Sequence, residues 1–161
     1  MMSVLENLIH DLIVQSGRRD GIPLSRLMKL VYLVDWYAAI HFNHQITDVE
    51  WVHGLCGPYS SGVQDCIMNG SRHFSVQRSR DRLGNEKVVV SILTERETTT
   101  EEAISQAVAH VSQITCAKDW PSLSMLVAST YPILRSEQGM KLDLVYFAGE
   151  YMTWKKRQGI S

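Results

Sequence analysis

Apolar residues recur at helical spacing from the start of the chain, where Val4, Leu5, Leu8, Ile9, Leu12 and Ile13 stripe one side of an amphipathic helix. Ser3 ahead of that stripe and Glu6 within its first turn predict a capping box. Gly17 predicts a stop, followed by a turn over Arg18-Arg19-Asp20-Gly21. A second helix is predicted from Pro23 or Leu24 to about Phe42-Asn43. It is apolar over more than half its circumference, which a helix tolerates when neighbours cover it on several sides.

Beyond residue 48 the pattern shortens. Residues 49–52 read as a strand, and Gly54-Leu55-Cys56-Gly57-Pro58-Tyr59 is expected to be irregular because its glycines and proline oppose regular structure. Ser60 or Ser61 should cap a short helix over residues 62–68, closed by Asn69-Gly70. Two β-prone arms, 74–80 and 87–93, flank Arg82-Leu83-Gly84-Asn85-Glu86 and predict a hairpin with a polar, solvated tip. Thr98-Thr99-Thr100-Glu101-Glu102 reads as the start of a third long helix bearing Ala103, Ile104, Ala107, Val108, Val111 and Ile114. Asp119-Trp120-Pro121-Ser122 breaks the pattern. Leu123, Leu126 and Val127 then begin a fourth helix, which Pro132 should end or kink. A closing helix is predicted over residues 141–156, with basic residues at its tail. The expected fold is α-rich (α+β): a single-domain helical bundle over residues 1–161 around the central apolar helix at 23–42, with a small β-hairpin at about 74–93.

At 161 residues and 45% hydrophobic, the chain is long enough to bury roughly two-thirds of its unfolded surface, so it needs no metal or disulfide to fold. Sixteen basic against 17 acidic residues leave a formal charge of -1, which argues against capture by phosphate backbones. Local basic clusters at 72–82 and at Lys155-Lys156-Arg157 read as solvated faces. Cys56, Cys66 and Cys116 match no disulfide framework, and no apolar run is long enough to span a bilayer; a cytosolic chain with no membrane partner is expected.

The candidate chemistry is sparse. His41, His44, His53, Cys56 and Cys66 invite a zinc reading, but the spacing lacks paired cysteines, and ordinary polar or core use is expected. Cys56 beside His53 is the candidate nucleophile, and Asp35 and Glu150 are candidate perturbed carboxylates. No phosphate loop, dinucleotide glycine pattern or nucleophile elbow is present. The expectation is therefore a non-enzymatic binding protein without metal or cofactor. Four tryptophans and six tyrosines supply the side chains that dominate protein interfaces; most should be core, with Trp51, Tyr59 and Trp154 exposed.

Leu27-Met28-Lys29-Leu30-Val31-Tyr32, followed at a distance by Glu50-Trp51-Val52-His53-Gly54-Leu55-Cys56-Gly57-Pro58-Tyr59, resembles the Panacea (SocA-like) antitoxin domain, which carries a Leu-x-Lys-Leu-x-Tyr helix and then an aromatic segment reaching a Gly-Pro. Ser129-Thr130-Tyr131-Pro132-Ile133 is similar to a closing element of that family, whereas Asp119-Trp120-Pro121 departs from the His before Pro-Trp of many members. The resemblance implies an antitoxin of a bacterial or phage-borne pair that neutralises a protein toxin, encoded by an adjacent gene, through direct contact. Some similar proteins act instead as adaptors delivering the toxin to a protease. The expected contact surface is Trp51, His53, Gly57, Pro58 and Tyr59, with the adjoining short helix and the hairpin. A regulatory module acting on a host protein is the alternative; a zinc- or cysteine-dependent enzyme, and nucleic-acid binding through Arg72, Arg78, Arg80 and Arg82, rank below it.

Overall fold

A computed structural model describes residues 2–18, 20–69, 72–94, 96 and 101–159. Helix α1 (Val4–Ser16) opens on the expected capping box: Ser3 Oγ accepts the Glu6 N–H and Glu6 Oε1 accepts the Ser3 N–H, each at 3.1 Å. It closes on Gly17 at φ +68°. Strand β1 (Ile22–Pro23) leads into α2 (Leu24–Phe42), which ends on left-handed Asn43. Every residue of α2 from Arg26 to Trp36 is buried, because α1, β1 and helices and strands from later in the chain pack around it. Each large apolar side chain so enclosed contributes about 1.5–3 kcal/mol over its exposed state.

The middle of the chain is more regular than its glycines suggest. β2 (Trp51–Gly54) and β3 (Gly57–Tyr59) form a tight antiparallel hairpin with Leu55 and Cys56 at its tip, where an irregular loop is expected. The same glycines explain it: Gly54 and Gly57 are paired, a Cβ on Gly54 would stand 2.9 Å from the Gly57 carbonyl oxygen, and Gly57 adopts φ +110°. Ser60 then caps α3 (Ser61–Met68), its Oγ accepting the Val63 N–H at 3.3 Å. β4 (Phe74–Arg80) and β5 (Glu86–Ile92) form the predicted long hairpin with its exposed tip, and β1 joins it as a third strand in the order β1-β5-β4.

The later helices are α4 (Glu102–Thr115), α5 (Trp120–Ala128), α6 (Tyr131–Leu134) and α7 (Leu144–Arg157). Asp119 caps α5 by accepting the Ser122 N–H at 2.9 Å, so that helix starts at Trp120 and not at Leu123. Pro132 lies in the first turn of α6, opening a helix as well as marking the end of the one before. Lys141 and Leu142 do not begin α7; they form β6, which pairs with β2 in a second sheet of order β3-β2-β6. The fold is thus α+β, with helices and two small three-stranded sheets sharing a core centred on α2. The predicted cap at Thr98-Thr99-Thr100, together with Arg19 and Gly70, lies outside the described residues.

Candidate functional site

The two sequence motifs meet in space, and α2 joins them twice. Asp35, fully enclosed, accepts the Thr47 N–H at 2.9 Å, the Thr47 hydroxyl at 2.5 Å, Trp51 Nε1–H at 2.9 Å and Gln45 Nε2 at 3.3 Å. Burial pushes its carboxyl up to about 6, against the pull of the Thr47 and Trp51 hydrogen bonds. Trp51 is 0% exposed and packs edge-on to Tyr32, ring centroids 5.5 Å apart. The expectation that Trp51 is a surface anchor is therefore corrected: its indole N–H finds a buried acceptor, and the ring serves as the foundation of β2. Tyr32 in turn donates to Thr130 Oγ1 at 2.8 Å, whose own hydroxyl donates to the Val127 carbonyl.

One helical turn before Tyr32, Lys29 is 5% exposed. Its Nζ donates to the Cys56 carbonyl at 2.7 Å across the tip of the β2–β3 hairpin, and stands 5.2 Å from the centroid of the Trp120 ring. A Cβ on Gly57 would lie 2.9 Å from that Nζ, and the φ of +110° there is one that favours glycine in its own right. Burial lowers the Lys29 pKa, and the neighbouring Cys56 counters part of that shift. Above Lys29 opens a groove of about 650 Å³ with largely apolar walls from Leu24, Met28, Pro58 and Val88. Its rim carries Leu55 at 89%, Tyr59 at 39% and Trp120 at 44% exposure. Of the expected contact residues, Gly57, Pro58 and Tyr59 line this groove. His53 sits behind it, its Nδ1–H donating to Ser136 Oγ at 2.8 Å while Ser136 donates to the Pro132 carbonyl.

The other candidates disperse. His41 packs at a tilt against Tyr37, with centroids 4.1 Å apart, and His44 bonds the Gln45 carbonyl. Among the described residues, no three His, Cys, Asp or Glu side chains come together as a metal site. Cys56 is exposed at the hairpin tip, and the nearby imidazole of His53 is engaged by Ser136. Glu150 lies on an exposed face of α7 and accepts from the Tyr146 hydroxyl at 3.2 Å. Arg78, Arg80 and Arg82 are solvated on the long hairpin. Among the described residues, no helix is long and apolar enough to cross a membrane.

Sequence reasoning passed over Lys29 and Trp120 as site residues. The available signal was a cation inside a run of otherwise apolar helix, and a tryptophan directly after a capping aspartate. Neither the curated proteins nor the solved structures provide a match to the chain. Residues 27–154, a span that contains both motifs and most of the groove's lining, match the family described as "Antitoxin SocA-like, Panacea domain". With most of its length inside that match and Lys29 tying the helix motif to the Gly-Pro hairpin, the chain belongs to the SocA-like Panacea domain family.

Proposed function

We propose that this protein is the antitoxin of a bacterial or prophage toxin–antitoxin pair, acting in the cytoplasm by gripping its toxin and not by catalysis. The observation that carries this reading is the open apolar groove rimmed by Leu55, Tyr59 and Trp120, a large exposed concentration of the side chains that anchor protein interfaces. Membership of an antitoxin-like family supports it. Gly57, Pro58 and Tyr59 form the contact region together with the groove walls, while Trp51 and His53 support the strand behind them.

The test is co-expression with the product of each adjacent gene, scored for growth rescue and for co-purification. A neighbour that is toxic alone, is silenced by this protein and stays bound to it is the expected result. Growth arrest that persists while both proteins accumulate would refute the reading. The protease-adaptor alternative is favoured by a second surface, where Tyr146 and Trp154 are exposed on α7 and Arg135 lies 5.2 Å above the Tyr131 ring. An adaptor must hold two proteins at once. In that case toxin abundance falls when the antitoxin is present, whereas a direct inhibitor leaves it unchanged.

A further inference from the structure

Lys29 is an uneven fit to a purely structural role. An ammonium has three donors, and here one of them meets the Cys56 carbonyl while the Trp120 ring offers a single π face. Among the described residues, no carboxylate stands at ion-pair distance from its Nζ. Asp35, two turns further along the same helix, shows the contrast: four donors converge on it. A buried cation without a counter-ion costs stability that an apolar residue of similar volume would not. Lys29 lines the groove, and Glu86 and Lys87, of opposite formal charge, line it as well.

We infer that the groove receives an apolar segment of the partner protein carrying an acidic side chain, which docks on Lys29 as its missing counter-ion. This rests on the reading of the groove as the toxin-binding face. The walls from Leu24, Met28, Pro58 and Val88 suit aliphatic residues on either side of the acid. A side-chain carboxylate fits better than a chain terminus, because termini are captured by converging backbone N–H groups, and the main-chain group that Lys29 meets is a carbonyl. A small free anion leaves the exposed Leu55, Tyr59 and Trp120 unused.

The test needs no toxin. Purified wild-type protein and Lys29→Met are each used to select from a random-peptide display library. Enriched peptides are then measured by fluorescence polarisation, as selected, with the acid changed to its amide, and with the terminus amidated. The wild type should enrich aliphatic sequences with a fixed Asp or Glu, and changing that acid to its amide or Lys29 to Met should weaken binding at least ~10-fold. Amidating the terminus should change nothing, and Lys29→Met should melt at the same temperature or higher. Enriched peptides without an acid, no enrichment at all, equal binding by Lys29→Met, dependence on the free terminus, or full competition by acetate would each overturn the assignment. Should Lys29→Met fail to fold, the amide-for-acid change in the peptide decides with wild-type protein. A failed growth rescue bears on the antitoxin reading, and a failed selection on the acid-docking site, so the two are separable.

Discussion

The Asp35 carboxylate holds together three parts of the chain, since its acceptors take Thr47, Trp51 and Gln45 donors in a place closed to water. Its pKa is raised from 3.8 to about 6, so the folded state keeps a proton that the unfolded state has released between those values. Stability from this group is complete below pH 4 and declines as pH rises through 6, by about 3 kcal/mol in all. Urea denaturation of the wild type and Asp35→Asn across this range should show the difference between them shrinking by that amount. At pH 7 the variant should still be the less stable by about 1–3 kcal/mol, because an amide presents a donor where Thr47 or Trp51 needs an acceptor. A constant difference across the range would mean that Asp35 does not titrate there.

At the scale of elements, the strand–helix corner at Tyr59-Ser60-Ser61 sets where the groove rim stands. Ser60 is buried and its hydroxyl caps α3, so the direction of β3 and the start of the helix are decided together. Ser60→Ala should cost about 1 kcal/mol in chemical denaturation, and Ser60→Asp or Ser60→Thr should recover less than their cap propensity suggests because the site is enclosed. Equal stability of Ser60→Ala and wild type would show that the cap bond contributes nothing. α5 is placed similarly, by the Asp119 cap that puts Trp120 at the first helical position, over Lys29.

For the whole molecule, the two aromatic residues expected to act alike separate by burial. Tyr59→Ala should weaken binding to the partner by about 1–3 kcal/mol with little change in melting temperature, as an exposed anchor would. Trp51→Ala should instead destabilise the fold by about 3–5 kcal/mol, leaving a cavity and orphaning the Asp35 network. Isothermal titration and thermal melts of both variants check this. A stable Trp51→Ala that fails to bind would reverse the assignment.

The amino-acid sequence by itself determined the elements whose signals are local. The Ser3 and Gly17 ends of α1, the apolar run of α2 with Asn43 after it, the long hairpin and the amphipathic α4 all rest on periodicity and caps within a few residues. It also made the family legible, since two motifs of that kind survive as strings. Tertiary structure alone decided the pairings between distant segments. β1 against β5 and β6 against β2 each involve two residues whose strand character exists because a partner edge is present. It also decided which aromatic is core: Trp51 and Tyr59 lie in neighbouring strands of one hairpin, and Asp35 accepting an indole N–H from below is what separates them. Lys29 carries the same lesson, because a cation in an apolar helix gains its meaning from the carbonyl, the glycine and the ring that distant parts of the chain bring around it.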